Sequence, residues 1–234
     1  MLKKTDLNGI ELAIVIKTSN YNPKILNLNF LKSSMIVPQN WNNGQQIVCK
    51  NQISQVIFRD RINIIAEATK ITFIENIDLE ALSSSNSPNI ALRYTDILSA
   101  LINISYFSVN IIFKGYVLFP QNSDLPHRYI FQKLIRPAVE EWTEITSSAP
   151  QASVNFFYSL VDKELKLSID EGTLKTLEQD KSPIILFTGN FNYIINDENS
   201  TVQSMKNCQV ISGWLHDLEI YIQIVNKLLS LNDE

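Results

Sequence analysis

The stretch ILSALINISYFSVNIIFKGYVLF, Ile97–Phe119, is the most membrane-like in the chain, and its two ends repeat with different periods. Leading into it, Ile90, Tyr94, Ile97, Leu98 and Leu101 recur at intervals of three and four, which gathers them on one face of a helix. Toward its end, Phe107, Val109, Ile111 and Phe113 stand against Ser108, Asn110 and Lys114, which sends the apolar set to one face of a strand. A single bilayer-spanning helix would hold one period throughout and carry few polar residues, whereas Ser99, Asn103, Ser108, Asn110 and Lys114 interrupt this run. The reading is a buried helix over about 88–104 and then a long strand over 107–119. Pro88 falls just inside the helix start, where its missing N–H costs nothing, with Asn86 or Ser87 as the cap.

The same two periods extend outward. Leu12, Ile14 and Ile16 define a strand at 10–17, and 53–75 alternates through Val56, Phe58, Ile62, Ile64, Ile71 and Phe73 as a hairpin or three-strand meander. Downstream, Tyr129, Ile130, Leu134, Ile135 and Val139 give a second helix at 125–142, kinked or stopped early by Pro137. Val154 to Leu160 and Leu165 to Ile169 form a hairpin turning at Asp162-Lys163. Ile184–Ile195 reads as a central strand. One long C-terminal helix, capped by the polar tract 196–201 and running to about 230, carries Ile211, Trp214, Leu215, Leu218, Tyr221, Ile222, Val225, Leu228 and Leu229 as a stripe. Residues 18–52 hold no sustained period, yet carry Ile25, Leu26, Leu28, Phe30, Leu31, Met35, Ile36, Val37 and Trp41. A solvated linker would not carry that apolar load, so the segment is expected to lie pinned on the core. The whole predicts an α+β fold: a mainly antiparallel sheet with helices packed on it and a long C-terminal helix, as one domain over 1–234 or two β-rich halves at about 1–105 and 106–234.

Composition narrows the function. Of 234 residues, 45% are apolar and 19% charged with a net charge of −4, the pattern of a folded, water-exposed chain. Arginines number five and form no run, so the basic stripe that nucleic-acid binding draws on is missing and no nucleic-acid partner is expected. No G-x-G-x-x-G or P-loop spacing occurs among the six glycines. Glu11 breaks the apolar run at Ile10–Ile16, which argues against a signal peptide. Cys49 and Cys208 are read as free thiols in a reducing compartment, hence a cytoplasmic protein.

Two short echoes run through the chain. Ile65-Ala66-Glu67-Ala68-Thr69 matches Ile169-Asp170-Glu171-Gly172-Thr173, and Ser108 with Ile111–Gly115 matches Ser182 with Ile185–Gly189. Their offsets, 104 and 74 residues, disagree, so a simple tandem duplication is not supported. A different likeness comes from Asn22-Pro23, Leu26-Asn27, Phe30-Leu31, Ile36-Val37-Pro38, Trp41, Gly189-Asn190-Phe191, Trp214 and Asp217-Leu218. In these the chain resembles a family of uncharacterised cyanobacterial proteins of similar length. The resemblance covers nearly the whole chain and implies no activity, substrate or functional residue.

Catalytic signatures are scarce. His127 and His216 are the two histidines, 89 residues apart, with no G-x-S-x-G elbow and no zinc spacing around either. Asp197 and Glu198 read as a solvated helix start rather than a cation site. Glu67 and Glu171 are the acids to inspect as a pair; both are expected to point away from the face of Ile65 and Ile169, into solvent. No metal and no cofactor is expected. The leading expectation is therefore a non-enzymatic accessory, adaptor or assembly subunit that binds another protein or itself through Phe30, Met35, Trp41, Trp142 and Tyr221. The competing one is an enzyme or small-ligand binder with a polar pocket on the sheet built from Glu171, Asn190, Asn192, His216 and Asp217, which stands or falls with whether those side chains converge.

Overall fold

The change of period in Ile97–Phe119 becomes a helix, Ser87–Leu101, followed by a strand, Ser105–Leu118, in the computed structural model. The structure describes residues 7–19, 21–49, 52–59, 61–82, 85–101, 104–119, 125–135, 153–175, 181–197 and 199–230. In chain order the elements are β1 (Asn8–Ser19), α1 (Leu28–Ser33), β2 (Gly44–Cys49), β3 (Ile53–Phe58), β4 (Ile62–Glu67), β5 (Lys70–Asn76), α2 (Ser87–Leu101), β6 (Ser105–Leu118), α3 (Leu125–Arg128), β7 (Ser153–Ser159), β8 (Glu164–Lys175), β9 (Lys181–Ile194), α4 (Ser200–Ser212) and α5 (Trp214–Leu229). A 3-10 turn at Pro23–Ile25 precedes α1, and a π turn at Tyr129–Leu134 continues α3.

The strands make one nine-stranded antiparallel sheet in the order β2-β3-β4-β5-β1-β6-β9-β8-β7. Alternation along each strand places one side chain in register on the next, so Val56, Ile64, Phe73, Ile14, Ile111, Phe191 and Leu165 form a continuous apolar row from β3 to β8. All of them are buried. Helices close over this row: Tyr94 of α2 meets Phe73 at 5.6 Å between ring centroids, and Tyr221 of α5 stacks on Phe113 at 5.6 Å. Burial of each such side chain contributes about 1.5–3 kcal/mol before entropy is subtracted.

Reading outward from the β1–β6 pairing, the two sides of the sheet repeat one order. On one side β1 is followed by β5, β4, β3 and β2; on the other β6 is followed by β9, β8 and β7. Each side also ends its meander in a helix, α2 after β5 and α4 after β9. The echo at an offset of 104 residues lies on β4 and β8, which hold corresponding places. The echo at 74 lies on β6 and β9, which do not, and this is why the offsets disagree.

Two expectations are corrected, and a third is met as far as the described residues reach. The C-terminal helix is not one long rod: it breaks at Gly213, whose N–H closes α4 on the Gln209 and Val210 carbonyls before α5 starts. The second helix stops early, as one of the two expected alternatives had it: it ends at Leu134, where Ile135 turns extended, and the rest of the 125–142 span, Pro137 and Val139 included, lies outside the described residues. The 18–52 segment is pinned on the core through Tyr21, Leu26, Leu31, Ile36, Val37 and Trp41, but it is not without structure. Asn27 caps α1 by accepting the Phe30 N–H at 2.8 Å, and Ser54 donates to the Leu26 carbonyl at 2.6 Å, tying the segment to β3.

Candidate functional site

The five residues of the expected polar pocket separate into three places. Asp217, on α5, is fully buried. It accepts a hydrogen bond from Lys163 Nζ at 2.7 Å and one from the Tyr193 hydroxyl, which lies 2.9 and 2.8 Å from its two oxygens and is shared between them. The β7–β8 turn folds Lys163 inward until 7% of its side chain is exposed, and the ammonium also lies 5.2 Å from the Tyr193 ring centre. Burial pushes the Asp217 carboxyl above its ordinary value of 3.8, while the hydrogen bonds and charge of Lys163 and the Tyr193 hydroxyl pull it back. Burial beside Asp217 likewise pushes the Tyr193 hydroxyl far up. His216, the residue before it on α5, faces solvent.

Glu171 meets a different partner. Residues two apart on a strand share a face, so Glu171 stands with Ile169 on the helix-covered side and not away from it, which corrects the expected orientation. There its Oε1 lies 2.8 Å from His127 Nδ1 of α3, and His127 Nε2 is buried without a partner among the described residues while its ring packs 4.5 Å from Phe131. Glu67 shares the uncovered face with Ile65 and pairs locally with Lys70 at 3.1 Å. β4 and β8 are five strand spacings apart, about 24 Å at roughly 4.8 Å each, so the two glutamates do not act as a pair.

Asn190 and Asn192 lie on the opposite face of the sheet, which no described helix covers. Asn192 is in register with Asn110 on β6, and the Asn110 amide donates to Asn190 Oδ1 at 3.0 Å. Of the pocket residues, then, these two alone share a site, and they share it with Asn110 rather than with His216, Asp217 or Glu171. The convergence that the enzyme reading required is absent.

The expected contact residues do not form one surface either. Trp41 and Tyr221 are core residues: Trp41 packs edge-on to Phe58 at 5.1 Å beneath the Arg61 guanidinium, and Tyr221 donates to the Phe187 carbonyl at 2.9 Å. Phe30 is half-buried, edge-on to Tyr94. Met35 is exposed and adopts φ +52°, with its carbonyl taken by Arg93. Trp142 lies outside the described residues.

Sequence reasoning missed Lys163, Tyr193 and Asn110. Lys163 reads as a turn residue and Asn110 as the polar side of a strand. Among the described residues no helix is long and apolar enough to cross a membrane, and no three His, Cys, Asp or Glu side chains gather where they would hold a metal ion. Burial raises the Cys208 thiol above its ordinary value, in line with a protonated, unreactive group. No protein-family model and no curated protein matches the sequence.

Proposed function

We propose that the chain is a non-enzymatic accessory or assembly subunit that binds another protein by strand addition at the ends of its sheet. The observation behind this reading is the chemistry of the two edge strands. An edge strand offers unpaired N–H and C=O groups, and stand-alone sheets commonly guard it with lysine, proline or a bulge. Here β2 (GQQIVC) and β7 (SVNFFYS) contain no charged residue and no proline, and each pairs with its inner neighbour without a register shift. The charges stand one strand further in, on β8, at Glu164, Lys166, Asp170, Glu171 and Lys175. Edges left in this state suit an extended segment of a partner, whose backbone supplies the hydrogen bonds and whose alternate side chains supply specificity.

The test places a guarding charge on each edge. Asn155→Lys on β7 and Gln45→Lys on β2 both fall at exposed positions, so melting should stay within about 0.5 kcal/mol of the parent. A partner, or a second copy of this chain, recovered at fixed stoichiometry with the parent and lost with one of the variants supports the proposal. Recovery of no stoichiometric partner, or equal recovery by the parent and both variants, sinks it. The setting is the cytoplasm, where Cys208 stays reduced.

A further inference from the structure

The uncovered face of the sheet holds a trough of about 340 Å³, lined by Lys17, Asn110, Phe157, Glu164, Asn190 and Asn192 among others. It reaches from β1 to β7, four strand spacings, or about 19 Å at roughly 4.8 Å each. At its floor Asn110 is 7% exposed, and its Oδ1 is buried with no hydrogen-bond partner among the described residues. Turning the Asn110 and Asn190 amides over exchanges donor for acceptor but still leaves one end of the Asn110 amide open. Buried polar atoms are nearly always paired in folded proteins, so this one is a vacant bonding position on a residue that lines the trough. The Asn192 amide beside it has no partner among the described residues, and the Asn190 amide has only the one bond from Asn110.

We propose that this trough binds a neutral oligosaccharide, with Asn110, Asn190 and Asn192 as its hydrogen-bonding floor and Phe157 as its apolar platform. Each amide presents a donor and an acceptor side by side, which matches the paired donor and acceptor character of vicinal hydroxyls. Phe157 is 75% exposed, and its ring offers a negative π face on which the C–H side of a pyranose can lie. An anionic ligand fits less well. Lys17 on β1 and Lys166 on β8 are three strands apart, about 14 Å, and do not converge on one phosphate. Lys166 is turned over Phe157 at 5.6 Å, and Glu164 adds a negative charge to the same wall. A single-stranded nucleic acid would also stack on Phe157, but would need a row of cations that the trough does not have.

The full-length chain is titrated calorimetrically with cellotriose, maltotriose and chitotriose, and separately with a ten-residue oligothymidylate. Binding of at least one trisaccharide, weakened about tenfold or more by the combined Asn190→Ala and Asn192→Ala substitutions and unchanged by Thr72→Ala elsewhere on the same face, supports the site. The paired asparagines are partly exposed, so the double variant is checked for an unaltered melting curve; if that curve shifts, Asn192→Ala alone takes its place. Three outcomes overturn the proposal: no trisaccharide binds up to about 10 mM, binding survives the asparagine substitutions, or only the oligothymidylate binds.

Discussion

The two sides of the sheet share an order of strands yet use a buried carboxylate in opposite ways. On the β1–β5 side, Glu75 spends its oxygens on backbone: they accept the Asn86 and Ser87 N–H groups at 2.6–2.9 Å, and the Asn86 amide as well. That places a negative charge at the start of α2, where the aligned peptide dipoles favour it. On the β6–β9 side, Asp217 belongs to the first turn of α5 itself and draws its partners from elsewhere, Lys163 from the β7–β8 turn and Tyr193 from β9. The first arrangement is local and completes itself once β5 and α2 are adjacent. The second is assembled only when a hairpin, a central strand and the last helix have all arrived, so it ties the packing of three elements to one charge pair.

That difference is measurable. Lys163→Ala should be the most damaging change, because it leaves Asp217 buried with a lost countercharge; about 3–5 kcal/mol of stability should disappear in chemical denaturation. A loss under 1 kcal/mol would mean the pair is no more than a surface contact. Glu75→Ala on the other side removes charged hydrogen bonds to backbone donors and should cost about 2 kcal/mol, seen as a lower denaturation midpoint with an unchanged slope. Gly189→Ala probes the packing of α5: an added Cβ would come within 2.7 Å of the Tyr221 ring. Because that ring is stacked on Phe113 and cannot swing away, the substitution should cost about 1–2 kcal/mol.

The smallest expected effect is a slope. Burial raises the Asp217 carboxyl in the folded chain above its ordinary 3.8, so its contribution to stability is complete below that value and is lost as pH climbs through the raised folded one. The melting temperature of the parent relative to Asp217→Asn should therefore be most favourable in acid and decline as pH rises from 3.8 upward. A difference that grew with pH over this window would show that Lys163 and Tyr193 outweigh burial.

Much of this architecture was legible because strands buried on one side repeat every two residues. Ile14, Phe73, Ile111 and Leu165 fall in that pattern, and they are the residues the sheet lines up. Other features were not legible. The apolar stripe runs from Ile211 through Trp214 to Leu218 without interruption, so nothing in its period marks the break that Gly213 makes. α1 has six residues, too few to show a helical repeat, and adjacent Gln45 and Gln46 conceal the alternation of β2. The pairs that organise the charged groups, His127 with Glu171 and Lys163 with Asp217, are 44 and 54 residues apart; their meeting follows from strand order, which single-chain periodicity does not contain. Asn190 and Asn192 were visible as polar positions after Gly189, but the third amide, Asn110, joins them only through the β6–β9 register.

The central place of β1 has a consequence for how the chain is made. Its partner on one side, β5, is complete at Asn76, but its partner on the other side is β6, which ends only at Leu118. At about 5–20 residues per second, a ribosome leaves that flank of β1 open for a few seconds. Throughout that interval the nascent polypeptide exposes the inside of its own sheet, and the hazard of misjoining falls on the middle of the molecule rather than on its rim.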